Sequence, residues 1–370
     1  MTRRVAAERR IQGVLMRARL VGTLGVRHSV RRWRADRTLE LRAPERRSAF
    51  NRSMWAEAAE SANATMAEIS PRLFQFRRGQ AVAHVLGQRT PFADPVSFAL
   101  ASAKDLAYEV LARAAVPIPD RVVVGRDDHG PAIAFFESGT GPCVVKPARG
   151  GGAGQGVTTS IASADQLGEA LRRAGLTSDE LLVEREVAGE HYRFLLLDGD
   201  VLDILERGRP RVVGDGTSNI EDLMLAEYER RLADPGPSGW KPFPVDLDCL
   251  FTLRLQGLTP SSVPAHGAVV MVKGATNISG QTECATFTGT VAPDALTAVR
   301  TAAAAVGVRL AGVDVVTTDL SSPLASTGGV ILEVNPIPGL HHHYNVMNPA
   351  AAQRVAVPIL EALLTMHAAT

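Results

Sequence analysis

The sequence has little cysteine and no long apolar run. Its three cysteines are odd in number and far apart, at Cys143, Cys249 and Cys284. This spacing argues against a disulfide framework or a zinc site and favours a reducing compartment. No stretch of about eighteen apolar residues is present, and the opening MTRRVAAERRIQGV lacks the apolar segment of a secretory signal. We therefore expect a cytoplasmic protein without membrane contact.

Lysine is also scarce. Only four of the 40 basic residues are lysines, namely Lys104, Lys146, Lys241 and Lys273. A compact ammonium on a flexible stem suits a phosphate oxygen in a tight pocket, where a planar guanidinium fits poorly. Lys104 and Lys146 are the stronger candidates for such a role and Lys273 the weaker one, whereas Lys241 is interpreted as a surface residue.

The arginines are concentrated at the start of the chain. Residues 1–50 hold fourteen arginines and only four acidic residues. We interpret this segment as a solvated helical arm that packs on the body of the protein or on a second copy, as in a homodimer. A nucleic-acid or other acidic partner is the alternative. Trp33 is the only aromatic residue that interleaves these arginines, so the stacking groups of a nucleic-acid site are missing.

A strand near the carboxyl end carries polar side chains into an apolar context. In GGVILEVNPIPGLHHHYN, strand alternation places Ile331, Glu333 and Asn335 on one face. A buried carboxylate needs a cation or a metal, so Glu333 should have such a partner. Asp314 lies in an earlier apolar strand at a separation that suits antiparallel neighbours. The oxygen donors of Asp314, Glu333 and Asn335 would suit Mg²⁺ or Mn²⁺. A structural ion pair of Glu333 with an arginine is the alternative.

The segment VVKPARGGGAGQGV places a lysine at a strand end before a loop with five glycines. Glycine allows backbone N–H groups to approach phosphate oxygens closely. The segment matches neither the P-loop spacing nor the Rossmann spacing of glycines. Because the lysine precedes the loop, we interpret the loop as a lid. The strand LLVERE, which ends in acidic residues, could accept hydrogen bonds from an adenine amine or a ribose hydroxyl.

Together these segments resemble the ATP-grasp enzymes, and most closely the ATP-grasp module of cyanophycin synthetases. The resemblance covers roughly residues 104–364 and includes SAKDLAYEVLARAAVPIP, LVEREVAGEHYRFLLLDGDVL, KGATNISGQTECATFTGTVAPD and GGVILEVNPIPGLHHHY, in that order. It implies an α+β ATP-grasp fold, in which two α+β subdomains grip ATP. It also implies a ligase that uses ATP and Mg²⁺ or Mn²⁺.

The resemblance also assigns roles residue by residue. The implied ATP-binding residues are Lys104, Lys146, Gly150, Gly151, Gly152, Gly154, Gly156, Glu184, Glu186, Val187, Glu190 and His191. The implied metal ligands are Asp314, Glu333 and Asn335, in agreement with the strand alternation. Arg207, Lys273 and Asn277 match positions that bind the transferred phosphoryl group, and Arg193, Gly280, Gln281 and His341 are candidate substrate contacts.

Two departures from the family pattern concern the ligands. The position seven residues after Glu184, which is often acidic and binds ribose, is His191, so either Glu190 substitutes or ribose is held differently. The segments NISGQT and GLHHHY also differ from the family and lie where acceptor or amine would bind. Three consecutive histidines cannot point the same way, so we do not expect a zinc site. His341 is a candidate substrate contact or general base, or packs the turn.

We expect four parts: a basic arm over 1–50, an N-terminal α/β domain over 51–120, and small and large ATP-grasp subdomains over 121–205 and 206–370. Within them, Ser163 is predicted to cap a helix that ends at Gly175. Ser218 and Glu221 are predicted to form a capping box.

The function predicted from these residues is ATP-dependent ligation of a small-molecule carboxylate, such as an amino acid or peptide, to an amine, through an acyl phosphate. A further ligase domain of cyanophycin synthetases does not follow in this sequence, so a different product is expected. The alternatives are a small-molecule kinase on the same fold and a nucleotide-binding regulatory module without turnover.

Overall fold

The computed structural model describes residues 26–150, 154, 156–233, 245–276 and 283–366. The helices are α1 (Val26–Ser61), α2 (Pro95–Ser102), α3 (Lys104–Arg113), α4 (Gly130–Glu137), α5 (Ala164–Ala174), α6 (Ile220–Ala233), α7 (Leu247–Leu255), α8 (Pro293–Val306), α9 (Leu324–Thr327), α10 (His341–Tyr344) and α11 (Ala356–Met366). The strands are β1 (Thr65–Ser70), β2 (Leu73–Arg78), β3 (Ala81–Leu86), β4 (Arg121–Gly125), β5 (Cys143–Pro147), β6 (Thr158–Ile161), β7 (Glu180–Arg185), β8 (Glu190–Leu197), β9 (Asp200–Arg207), β10 (Arg211–Val213), β11 (Val269–Met271), β12 (Cys284–Thr286), β13 (Leu310–Thr317) and β14 (Val330–Asn335). None of these helices is both long and apolar enough to cross a membrane.

The first part of the described chain is α1 followed by an antiparallel sheet of order β1-β2-β3. We call residues 26–92 the N-terminal unit. Helix α1 continues to Ser61, so the described part of the predicted arm and the start of the next predicted domain form one helix. Residues 1–25 of the arm lie outside the described residues.

The second part is a four-stranded antiparallel sheet of order β4-β7-β5-β6. Helix α5 packs beside it and buries Leu167 and Leu171 with Leu181 and Val183 of β7. The predicted limits of this helix are confirmed. The Ser163 hydroxyl accepts a hydrogen bond from the N–H of Gln166, and the helix ends at Gly175.

The third part is a five-stranded sheet of order β12-β9-β8-β13-β14. Strands β8 and β9 form a hairpin that turns at Gly199, whose φ of 88° is the left-handed conformation that favours glycine. Both strands of the hairpin belong to this sheet. The chain therefore passes from the four-stranded to the five-stranded sheet at residues 186–189, earlier than the predicted boundary at 205/206.

The five-stranded sheet buries both of its faces. One face packs Phe194 and Val313 against α3 and α8. The other packs Leu195 and Leu310 against the N-terminal unit and helix α11. Side chains on a strand alternate between faces, which explains why β8 reads as a continuous apolar run. The sheet is thus the centre of the described part of the molecule.

Candidate active site

A cavity of about 550 Å³ is lined by residues of the four-stranded sheet, the five-stranded sheet and the N-terminal unit. Most of the site residues predicted from the sequence line it: Lys104, Lys146, Glu184, Glu186, Val187, Glu190, His191, Arg193, Arg207, Asp314, Glu333, Asn335 and His341. Residues from segments more than two hundred positions apart therefore meet in one place.

The two predicted acidic metal ligands are direct neighbours. Strands β13 and β14 pair in antiparallel register with Asp314 opposite Glu333 and Gly312 opposite Asn335. The amide N–H of Asn335 donates to the carbonyl of Gly312 at 3.3 Å, which leaves its carbonyl oxygen as an acceptor. Among the described residues, no group of three or more His, Cys, Asp and Glu side chains is placed to hold a metal.

A bulge in β14 changes the faces predicted from strict alternation. The register shifts between Asp314 and Val315, so that Val315 pairs with Ile331 and Leu332 is the extra residue. Ile331 consequently packs in the core, and Leu332 lines the cavity together with Glu333. Bulges commonly re-aim side chains near functional sites. The prediction that Ile331 shares the face of Glu333 was therefore wrong.

The expected cationic partner of Glu333 is Lys104, the first residue of α3. The ammonium of Lys104 donates to Glu333 Oε1 in a partly buried ion pair. Burial opposes both charges, yet the pairing raises the pKa of Lys104 and lowers the pKa of Glu333. Both groups are therefore charged at neutral pH. Among the described residues, no arginine forms an ion pair with Glu333.

Lys146, at the end of β5, belongs to a second buried ion pair. Its ammonium lies 2.7 Å from Glu184 Oε1 and donates to the hydroxyl of Tyr108 at 3.1 Å. The Tyr108 hydroxyl donates in turn to the carbonyl of Leu332 at 2.8 Å. Burial and the Glu184 carboxylate hold the pKa of Tyr108 well above its usual range. Tyr108 was missed in the sequence, although it lies four residues after Lys104 on the same helix face.

Asp314 is the most heavily bonded acidic group of the site. Arg193 donates to both of its oxygens, at 2.6 and 2.7 Å, and Arg207 donates at 3.4 Å. The Nε2 atom of His191 lies 3.5 Å from the same carboxylate. Burial disfavours the charge, but Arg193 and His191 hold the pKa of Asp314 well below its usual range. Burial lowers the pKa of His191, and burial and the charge of Arg193 lower the pKa of Arg207.

The segment after β7 is held in place by side-chain bonds. Glu186 accepts a hydrogen bond from the N–H of Ser160 at 2.6 Å, which joins the segment to β6. Val187 and the exposed Glu190 follow and line the cavity. His191 Nδ1 is hydrogen-bonded to the hydroxyl of Thr276. His191 thus faces Thr276 and Asp314, while Glu190 is the acidic side chain on the rim.

The glycine-rich loop has the backbone conformation that its sequence requires. Gly150, Gly154 and Gly156 have φ values of 74°, 76° and 77°, which L side chains rarely adopt. A Cβ on Gly156 would also lie 2.9 Å from the ring of Pro147. None of these three glycines lines the cavity. The predicted residues Gly151 and Gly152 of this loop, and Asn277, Gly280 and Gln281 elsewhere, lie outside the described residues.

Lys273 occupies a different position from the one predicted. It does not line the cavity and is 1% exposed. Its ammonium donates to both oxygens of Asp246 at 2.7 Å and lies 3.6 Å from Asp248. Asp248 in turn accepts from Thr159 and from the N–H of Ala275. Lys273 therefore neutralises two carboxylates and joins α7 to the segment before residue 277.

The three histidines do not all point one way, as expected. His341 and His342 line the cavity, with ring centroids 4.0 Å apart. His343 is buried and its Nδ1 lies 2.7 Å from Asp203. Burial, and next His341, hold the pKa of His342 well below its usual range, so this imidazole is neutral. His342 is a second histidine of the site that the sequence did not distinguish from its neighbours.

The architecture matches that of known ligases. A crystal structure of a bifunctional glutathione synthetase from Pasteurella multocida superposes with a TM-score of 0.52 at 21% identity, covering 84% of this chain and 44% of that one. This likeness establishes an ATP-grasp fold of mixed α+β type. No protein-family model matches the chain.

Two curated proteins illustrate the sequence similarity of the chain. Cyanophycin synthetase of Trichormus variabilis is 31% identical over 246 residues, which are 66% of this chain and 27% of that protein. The glutathione biosynthesis bifunctional protein GshAB of Enterococcus faecalis is 31% identical over 230 residues, which are 60% of this chain and 30% of that protein. The chain belongs to the ATP-grasp superfamily, close to the cyanophycin synthetases. It spans less than a third of the length of these curated relatives.

Proposed function

We propose that this protein is an ATP-dependent carboxylate–amine ligase that forms an amide bond and releases ADP and phosphate. The observation that carries the proposal is the convergence of Lys104, Lys146 and Arg207 with the Asp314–Glu333 pair in one cavity between two sheets. Cations and carboxylates together are what a metal–triphosphate complex requires. Relatives with similar sequences are cyanophycin and glutathione ligases, which supports the same reaction class.

The first step would transfer the γ-phosphoryl group of ATP to a carboxylate oxygen. The bond between the β,γ-bridging oxygen and the γ-phosphorus breaks, and a mixed acyl phosphate forms. Lys104 and Lys146 would hold the phosphates, and Arg207 would bind the oxygens of the transferred group. The ion pairs of these lysines keep their ammonium groups inside the cavity before nucleotide binds. Such preorganised charge stabilises a phosphoryl transfer without further reorganisation.

The residues fit a divalent metal by the chemistry of their donors. Glu333 uses one oxygen for Lys104, and its second oxygen accepts no hydrogen bond from a described residue. With Asp314 and the Asn335 carbonyl it forms an oxygen-only set, which suits Mg²⁺ or Mn²⁺. When bound there, the ion would neutralise phosphate charge during transfer.

In the second step a neutral amine attacks the acyl carbon, the carbon–oxygen bond to phosphate breaks, and the nitrogen loses one proton to a base, to the leaving phosphate or to solvent. His341 and His342 line the cavity and follow β14, the strand that carries Asn335, in the chain. The amine would approach beside them. We assign His341 as a substrate contact. A closing glycine loop would exclude water, which otherwise hydrolyses the acyl phosphate.

Product analysis tests the proposal. The protein is incubated with ATP, Mg²⁺ and a panel of amino acids and dipeptides, with hydroxylamine as a general amine acceptor. A ligase releases ADP and phosphate with a carboxylate present and forms the hydroxamate. A stable phosphate ester that needs no amine would instead identify a kinase, and absence of ADP with every acid would identify a regulatory nucleotide-binding module.

A further inference from the structure

The polar side chains that the N-terminal unit contributes to the cavity are all cationic or amide groups. Three arginines from separate elements line it: Arg47 in α1, Arg72 in the turn between β1 and β2, and Arg89 after β3. The other polar side chains from this unit that line it are Asn51 and Gln88. The described acidic residues of the cavity all come from the two ATP-grasp sheets and the segment that joins them. This wall of the cavity therefore carries three positive charges without an acid of its own.

These three arginines, like the exposed Arg209 after β9, line the cavity without an ion pair among the described residues, unlike Arg193 and Arg207. Arg193 and Arg207 share Asp314, and Arg185 donates to the carbonyls of Phe135 and Phe136. In the described chain, Arg47, Arg72 and Arg89 make no ion pair and no side-chain hydrogen bond. The guanidinium of Arg89 only lies over the ring of Phe98, at 5.9 Å. Three unpaired guanidinium groups at one rim are a ready binding site for carboxylates.

The backbone that carries these groups is fixed to the catalytic part of the molecule. Trp55 Nε1 donates to the carbonyl of Gly87 at 2.7 Å. Gln88 donates to Asn51 at 2.9 Å and accepts from the N–H of Leu340 at 2.9 Å. Leu340 immediately precedes the histidines of the site. The cationic wall is therefore rigidly positioned beside the turn that follows the metal strand.

We propose that Arg47, Arg72 and Arg89 bind the acidic side chains of a peptide, one carboxylate of which is the group that the ligase activates. We call these three residues the arginine rim. The proposal rests on the proposed function and specifies its acid substrate. The reacting carboxylate lies deep in the cavity, near Arg207, and the neighbouring carboxylates lie on the rim.

The exposure of the rim favours a peptide over a small acid. All three arginines are exposed, whereas Arg193 and Arg207 are buried. A cavity of about 550 Å³ is of the size that one drug-sized ligand fills. With a nucleotide inside, little room remains for more than the reacting group of the acid. The rest of the substrate must then extend across the mouth, where the arginine rim lies.

Binding of a labelled peptide tests the assignment directly. The probe is a fluorescein-labelled peptide of alternating Glu and Gly, and its neutral twin has Gln in place of Glu. Anisotropy is measured for the full chain and for the triple variant Arg47→Gln, Arg72→Gln, Arg89→Gln. The matched control is Arg77→Gln, an exposed arginine of β2 that does not line the cavity. Affinity for a fluorescent ADP analogue with Mg²⁺ is measured for the same proteins.

We expect the acidic probe to bind more tightly than its neutral twin and to lose about ten- to a hundredfold in affinity in the triple variant. Arg77→Gln should leave it unchanged, and nucleotide affinity should stay the same in every variant. Equal binding of the neutral twin, or an equal loss in Arg77→Gln, would overturn the arginine rim. Displacement of the probe by free glutamate at similar concentration would overturn the peptide assignment. Failure of nucleotide binding with rim-dependent peptide binding intact would count against the ligase and leave the rim standing.

Discussion

At the scale of single residues, the type and scarcity of charged residues pointed to some residues that line the cavity and to one, Lys273, that does not. The scarcity of lysine directed attention to Lys104 and Lys146, which both line the cavity. The same reasoning failed to locate Lys273, because a buried pair of carboxylates needs a compact cation as much as a phosphate does. Of the arginine rim, only Arg47 belonged to the segment interpreted as a solvated arm, and Arg72 and Arg89 were not singled out. A sequence gives the charge of a residue but not which arginines lack a partner after folding.

Glu333 is the residue whose neutralisation should affect catalysis most selectively. Glu333→Gln keeps the shape and one acceptor oxygen but removes a metal ligand and the charge that pairs with Lys104. We expect ATP turnover to fall by about a hundredfold or more, with a melting temperature close to that of the unchanged protein. ADP release by a coupled assay and thermal denaturation measure the two effects. The same substitution at the exposed Glu109 of α3 is the control, and undiminished ADP release in Glu333→Gln would refute the metal assignment.

At the scale of elements, local signals worked where tertiary structure agreed with them. The β8–β9 hairpin, the limits of α5 and the pairing of Asp314 with Glu333 follow from turn residues, caps and alternation. The bulge at Leu332 could not be predicted, because the position of an extra residue depends on how the strand pairs with its neighbour and not on the sequence of the strand alone. For the same reason alternation gave the right pairing of the carboxylates but the wrong face for Ile331.

The start of α6 shows a similar local error. The predicted capping box is wrong, since the Ser218 hydroxyl donates to Asp215 and the cap is Asn219, which accepts from the N–H of Asp222 at 2.8 Å. Glu221 is consequently buried, at 5% exposure, and burial raises its pKa to about 7 from an ordinary value of 4.5. Asn is among the best cap residues, so the helix begins one residue later than predicted.

The burial of Glu221 predicts a pH dependence of stability. A carboxyl group whose pKa is higher in the folded chain stabilises the fold while protonated, and this stability is lost as the pH rises through about 7. We expect Glu221→Gln to raise the melting temperature more at about pH 8 than near pH 5. Thermal denaturation at both pH values measures the difference. Glu137→Gln, at an exposed position of α4, is the control, and an equal effect at both pH values would contradict the prediction.

Gly189 lies in the segment where the chain passes from the four-stranded to the five-stranded sheet. Its substitution tests whether the backbone of that segment is constrained. Its φ is 135°, and a Cβ there would lie 2.3 Å from the carbonyl of Thr317. We expect Gly189→Ala to destabilise the fold by about 2 kcal/mol or more and to weaken nucleotide binding, because β7 and β8 would be displaced at the cavity. Chemical denaturation and nucleotide titration measure both. Gly125→Ala has open space around it and serves as the control; a neutral Gly189→Ala would show that the segment is not constrained.

At the scale of the whole molecule, the N-terminal unit shares a hydrophobic core with the rest of the described chain. Trp55, Phe74 and Phe76 of the unit pack in one buried cluster with Leu197 of the five-stranded sheet and Leu360 of helix α11. The arginine rim is therefore carried by a unit that shares its hydrophobic core with the sheet of the metal ligands. Composition alone pointed to a solvated arm because its arginines are numerous, and the few apolar residues of this segment that pack on the body, Ala35 and Leu39 against α6, do not stand out among them.

This shared core predicts that the unit and the sheet unfold together. Leu360 is fully buried in the cluster, so Leu360→Ala should cost about 2–5 kcal/mol through lost burial and the cavity it leaves. Because the cluster spans three parts of the chain, we expect one transition, with hydrogen exchange accelerating equally in residues 51–61 and 190–197. Leu255→Ala, at a site that is 60% exposed, should change little. If exchange accelerated in residues 51–61 alone, the N-terminal unit would be an independently unfolding body, and the fixed position of the arginine rim beside the catalytic turn would have to be abandoned.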